Sequence, residues 1–369
     1  MDTIQRVASA DLMKAPSSAE TKVDVESLRC RRAKSGFFSV LSLAATISAP
    51  VPLAAQVGDQ REDGNSARYD AMFGTPNMYT PTAPTNVFAT SPGLEQQVRR
   101  SQFTVYGLAP LFFNSNAEAL ASPAGGTNSA EFSPIVGASW STPVLDLPFR
   151  FTGGARAEID RFTQVPSADF DKVRLSARLQ YVDANNDQAF SPYLSYSPRW
   201  DFAPFYKSWF ETRQDLTVGV NKTFNYDANF QRVASSGNSF AETTWSFGMT
   251  VGFQRRFATP TPGSWAAFLV PSVSYVISPQ WNFSLGAYME RRGFDFFQGV
   301  TDQDWFIEPI ATLEFVLPTS WFGSEANAAL IGRPALDFQV AYERNWSTLD
   351  VFNYGQWTIG GALKFGWRF

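Results

Sequence analysis

The residues of this chain that could do chemistry are acids and bases, with no histidine among them. The sequence holds 30 Lys and Arg and 34 Asp and Glu, but His is absent. Without an imidazole, a serine cannot be activated as a nucleophile in the usual way. His-based zinc sites are excluded, and no Gly-rich phosphate loop is present. A carboxylate-only mechanism, as in glycosidases, needs an isolated pair of acids, and none stands out. No catalytic residue, cofactor or metal is therefore expected. What does stand out is spacing. Arg150, Arg156, Glu158 and Asp160 share one parity, as do Lys172, Arg174 and Arg178. So do Glu290 and Arg292, Glu308 and Glu314, and Asp337 and Glu343. On an extended chain, residues of one parity project from one face. Faces of this kind act electrostatically: they set a field, filter ions, or pair with one another.

The elements that must carry these faces are strands. From Gln102 onward the chain repeats an alternating pattern followed by a turn. Twelve segments are expected: 102–113, 131–141, 147–161, 172–183, 190–200, 212–226, 242–257, 264–277, 280–292, 304–317, 335–346 and 356–369. In the fourth, Val173, Leu175, Ala177, Leu179 and Tyr181 alternate with Lys172, Arg174, Ser176, Arg178 and Gln180. In the seventh, Trp245, Phe247, Met249, Val251 and Phe253 alternate with Thr244, Ser246, Gly248, Thr250 and Gly252. Aromatics make up 15% of the chain, yet its mean hydropathy is −0.18. Many aromatics on a mildly polar chain suit a barrel, whose lipid-facing rings alternate with lumen-facing polar groups.

The last segment is the most specific. Trp357, Ile359, Gly361, Leu363, Phe365, Trp367 and Phe369 alternate with Thr358, Gly360, Ala362, Lys364, Gly366 and Arg368. That is long enough to cross a bilayer when tilted. A terminal Phe closing such a strand resembles the C-terminal signature of Gram-negative outer-membrane β-barrels. The resemblance covers residues 102–369. It implies an all-β fold, an antiparallel transmembrane β-barrel of about twelve strands (range about ten to fourteen), in the bacterial outer membrane. It also implies that the barrel-assembly machinery reads Phe365, Trp367 and Phe369, and that outer-membrane lipid surrounds the barrel.

Upstream, Arg29, Arg31, Arg32 and Lys34 precede an apolar run from Phe37, and small residues follow to Ala55. This is the order of a secretory signal, here with an extended N-terminal region, so residues 1–55 are expected to be removed. Residues 56–100 hold Pro76, Pro81, Pro84 and Pro92 and no strand pattern. They read as a periplasmic linker or a segment tucked into the lumen. Cys30, the single cysteine, lies before the apolar run, so the mature chain has no disulfide. Removing residues 1–55 takes away seven basic and five acidic residues and moves the net charge from −4 to −6. That acidity disfavours nucleic acid as a partner.

Three short connections are expected at the periplasmic end, 143–146, 184–188 and 278–279, together with two long ones, 227–241 and 318–334. Pro110, Pro134, Pro192, Pro271 and Pro309 fall inside segments, although proline is expected only at strand ends or bulges. Trp245, Trp265, Trp281, Trp305, Trp357 and Trp367 read as an interfacial girdle. In a twelve-stranded barrel the fourth strand faces the tenth. Lumen bases Arg150, Arg156, Lys172, Arg174 and Arg178 would then oppose lumen acids Glu290, Glu308, Glu314, Asp337 and Glu343. Three functions are open. The first is a narrow passive channel for small hydrophilic solutes, ordered by a transverse field. The second is a structural or adhesive barrel whose lumen is closed by salt bridges, and the third is a His-free outer-membrane enzyme with a carboxylate-only site. The resemblance to twelve-stranded porins for acidic oligosaccharides is one of type, with no motif matched.

Overall fold

The computed structural model describes residues 101–117, 126–145, 147–182, 190–233, 243–295 and 302–369. The expected signal region, the 56–100 linker and the 184–188 turn lie outside the described residues.

The alternating segments form β1 (Gln102–Asn114), β2 (Ser129–Phe132), β3 (Ile135–Pro143), β4 (Phe149–Phe162), β5 (Phe170–Tyr181), β6 (Ser191–Phe202) and β7 (Trp209–Tyr226). They continue as β8 (Trp245–Thr259), β9 (Ser264–Ser278), β10 (Trp281–Phe294), β11 (Gln303–Val316), β12 (Ala335–Ser347) and β13 (Tyr354–Arg368). β2 and β3 each pair antiparallel with β1 and with β4, every later strand pairs antiparallel with its sequence neighbour, and β13 pairs with β1, which closes the sheet into a twelve-stranded barrel. The count is twelve because β2 and β3 are one stave. Both keep a single register against β1 and against β4, with Ser133 and Pro134 dropping out of the ladder between them. Closure leaves no edge with unpaired backbone groups, which is what lipid demands.

The prolines sit deeper in the strands than expected. Pro134 makes the break in the second stave, and Pro192 is one residue inside β6. Pro271 and Pro309, however, lie mid-strand, as do Pro110 and Pro198. Each is accommodated where a ladder lapses. The β9–β10 register skips the pairs at 270 and 271, and the β11–β12 register skips those at 308 and 309. The β5–β6 register skips those at 197 and 198. Pro110 faces the Ser133–Pro134 break itself. A missing N–H is harmless where no partner carbonyl awaits it.

Outward residues are apolar and exposed, among them Leu175, Leu179, Val218, Val251, Phe253, Phe338, Val340 and Ile359. The ten strand tryptophans all lie within three residues of a strand end, and Trp321 sits in the β11–β12 connection. They form two aromatic belts. The six tryptophans named from sequence are among them, as an interfacial girdle requires. An antiparallel closed barrel with such an apolar band is the architecture of outer-membrane proteins, and this places the chain in a bacterial outer membrane.

Both chain ends of the barrel lie at one rim, here called the terminal rim. The connections 227–244 and 317–334 fall there as the two long ones expected, the second with helix α1 (Glu325–Leu330). Phe365 covers Gly107 across the closing seam, where an added Cβ would collide with its ring. The Trp367 indole donates to the Leu330 carbonyl at 2.9 Å. Phe369 exchanges backbone hydrogen bonds with Phe103 at 2.8 and 3.1 Å. The terminal signature residues thus finish the β1–β13 seam.

Candidate functional site

The barrel interior brings the charged faces together in rows. On β4 to β7, Arg156 is opposite Arg174, Arg174 opposite Arg199, and Arg199 opposite Arg213. Four arginines therefore form one continuous cross-strand row on four adjacent strands. Side chains directly opposite across strands stand about 4.5–5.5 Å apart at Cβ, and like charges in that relation destabilise. Part of that cost is offset along β4, β6 and β7. Arg199 donates to Asp201 at 2.6 and 3.1 Å, Arg213 reaches Asp215 at 3.4 Å, and Arg156 lies 3.6 Å from Glu158. Arg256 on β8 extends the wall and donates to Asp215 at 2.8 Å.

The far side of the barrel carries the opposite sign. Glu308 on β11 and Glu343 on β12 fall at the gap that Pro309 leaves in the ladder, flanked by Tyr288 on β10 and Gln356 on β13. The strands β5 and β6 lie six staves from β11 and β12, so the arginine row and the glutamate pair occupy diametrically opposed walls. Among the described inward residues, β4–β8 carry eight cations and five carboxylates, and β10–β13 carry six carboxylates and two cations. The walls thus differ in net sign, as the sequence suggested, but each holds both signs.

Every lumen residue named from sequence points inward, but they occupy different levels. Arg156 and Arg174 belong to the arginine row. Lys172 lies one pair further from the terminal rim and is held at 2.7 Å by both Glu158 and Asp160. Arg178 lies nearer that rim and stacks over the Tyr193 ring at 3.8 Å. Arg150 is half-buried close to the rim and donates to Ser141 Oγ at 2.5 Å. Among the acids, Glu308 and Glu343 lie on the wall opposite the arginine row. Glu314 and Asp337 are paired across β11 and β12 near the terminal rim and share Lys364, which is 3.3 Å from Asp337. Glu290 accepts from Arg292 at 2.6 and 2.8 Å near the other rim. Above the wall, Tyr206 takes the Asp171 carboxylate on its backbone N–H at 2.8 Å. Burial, then the charges of Asp171 and Glu158, hold its phenol above the usual tyrosine value, so it stays protonated.

The interior charges are deeply buried among one another. Arg213, Arg256, Arg292, Glu308 and Glu343 are each 1% exposed or less. Buried charge is tolerable only when paired and hydrogen-bonded. Each of these five engages further groups beyond those named above.

No family model matches the chain, and no curated protein matches its sequence. Solved structures do match in shape. One is an outer membrane channel from Pseudomonas putida F1, at 10% identity and TM-score 0.42, covering 74% of this chain and 96% of that one. Another is the translocator domain of the autotransporter NalP from Neisseria meningitidis, at 8% identity and TM-score 0.40, covering 85% and 98%. The NanC porin matches at 10% identity and TM-score 0.36, covering 71% and 98%. Likenesses this distant say nothing about which solute or partner this chain handles, and residue roles rest on its own geometry.

Sequence reasoning missed Arg199, Arg213 and Arg256, their partners Asp201 and Asp215, and Glu211, which accepts from Thr261 at 2.6 Å. The signal was present. Ser195, Ser197, Arg199 and Asp201 share a parity against Leu194, Tyr196 and Trp200, and Glu211, Arg213 and Asp215 share one against Leu216 and Val218. Drawing the sixth segment from 212 cut off Glu211, and ending the fifth at 200 cut off Asp201.

Proposed function

We propose that this barrel is a narrow passive channel for small hydrophilic solutes, with the Arg156–Arg174–Arg199–Arg213 row as its charge filter. The carrying observation is the row itself. A lumen that needed only to be closed would alternate signs between neighbouring strands, since like charges directly opposite cost stability. At this row four like charges stand side by side on one wall, and the Glu308–Glu343 pair lies six staves away on the other. That arrangement maximises a transverse field, which orients polar solutes and discriminates ions by charge. The sign of the row favours anions. No catalysis enters this reading, since a chain without His lacks the usual proton-transfer partner.

A second reading is favoured by the burial of the interior charges: a barrel with a closed lumen that acts through its outer connections. Twelve strands lie between the filled eight-stranded barrels and the open sixteen-stranded ones, so strand number does not choose between them. Single-channel recording in planar bilayers does. The channel reading expects discrete conductance steps from purified, folded protein. A silent bilayer with verified insertion would leave the closed-barrel reading standing.

A further inference from the structure

On β10–β13 the outward face is apolar or aromatic along almost its whole length, from Trp281, Phe283 and Leu285 to Ile359, Leu363 and Phe365. The charged exceptions are Arg291 and Arg344, and both lie three residues from the rim opposite the terminal rim. No acid shares that face on these four strands. Between the two arginines, Trp305 and Trp346 are a direct cross-strand pair, 57% and 49% exposed. The Arg291 guanidinium sits 5.4 Å from the Trp305 ring centre, and that of Arg344 sits 5.5 Å from Trp346. Gly355 on β13 leaves the space beside Arg344: a Cβ there would come within 3.4 Å of its Nη1. The other outward rim arginines are neutralised. Arg161 pairs with Asp171 at 2.7 Å, and Arg255 with Asp295 at 2.7 Å.

Two guanidiniums facing lipid at headgroup height, with no acid on their strands' outward face, are poised for a partner that is anionic and lies in the membrane. We propose that Arg291 and Arg344, with the Trp305–Trp346 pair, bind the phosphate headgroup of a membrane lipid at this rim. Guanidinium forks donate bidentately to phosphate oxygens. The indoles sit at the interface, where the apolar body meets acyl chains and the N–H meets headgroups. The patch lies on the lipid-facing surface, so it is independent of whether the lumen conducts.

Native mass spectrometry of the full-length folded protein tests this. The probes are phosphatidylglycerol, which bears net negative charge, and phosphatidylcholine, which does not. A basic side chain near anionic headgroups contributes roughly fivefold in binding, so two should give on the order of thirtyfold. Wild-type protein is expected to retain phosphatidylglycerol preferentially. Arg291→Gln with Arg344→Gln should abolish the preference, while Lys222→Gln, an outward lysine near the terminal rim, should keep it. Millimolar inorganic phosphate should not displace the lipid. Absence of a preference in the wild type overturns the proposal without recourse to any variant. So does an undiminished preference in the double variant, and displacement by free phosphate would make this a site for soluble anions instead.

Discussion

Replacing Lys172 with Met should cost this barrel stability while leaving its charge filter in place. The Lys172 ammonium lies 2.7 Å from Glu158 and 2.7 Å from Asp160, and it packs 4.6 Å from the Phe170 ring centre. All three charged side chains are almost fully buried, at 2%, 2% and 1% exposure. Methionine keeps most of the stem volume and removes the charge. Two carboxylates are then left close together with their shared cation gone. Breaking a buried pair in this way costs about 3–5 kcal/mol, whereas an exposed pair is worth about 0–1 kcal/mol. Urea titration of the barrel folded into lipid vesicles measures the difference, with gel mobility of unboiled samples reporting the folded fraction. A companion variant carrying Lys172→Met and Asp160→Asn keeps Glu158 for Arg156, 3.6 Å away, and should recover part of the loss. A loss below about 1 kcal/mol in the single variant would mean that water reaches this level of the lumen. A double variant no better than the single one would mean that the crowded carboxylates were not the source of the cost.

Deleting Phe369 removes two backbone hydrogen bonds and an aromatic contact from the β1–β13 seam, so assembly into the membrane should fall sharply while export continues. Normal levels of heat-modifiable barrel in the truncated protein would contradict this. Gly219→Ala places a Cβ within about 2.6 Å of the Tyr193 ring that carries Arg178. Overpacking of this kind costs about 1–3 kcal/mol, measured in the same urea titration. Cysteine at 174 should react with a water-soluble thiol reagent and cysteine at 175 with one confined to lipid; the reverse pattern would invert the register.

The barrel was legible because parity is a strong signal when one face meets lipid. A one-residue slip would move Arg156, Lys172, Arg174 and Arg178 into hydrocarbon at roughly 2–4 kcal/mol each near the midplane. That constraint fixed the orientation of every named lumen residue. It did not fix their heights. Whether Arg174 stands beside Arg156 or beside Glu158 depends on the stagger between β4 and β5, which no single strand encodes. The arginine row was invisible for this reason, and also because Arg199 sits next to Pro198 where the β5–β6 ladder lapses. The prolines misled for a related cause. The expectation allowed each only a strand end or a bulge, but a lapse in one neighbouring ladder is enough, and the lapse at Pro309 falls at Glu308 and Glu343.

The reversal potential under a salt gradient tests the charge filter most directly. Wild-type channels should show anion preference, and Arg174→Ala with Arg199→Ala should shift the potential toward cations, because two of four charges leave the row that faces Glu308 and Glu343. Lys172→Met, which acts on a locked pair, should leave the potential nearly unchanged. An unchanged potential in the arginine variant, or a shift toward anions, would contradict the assignment of this row as the filter.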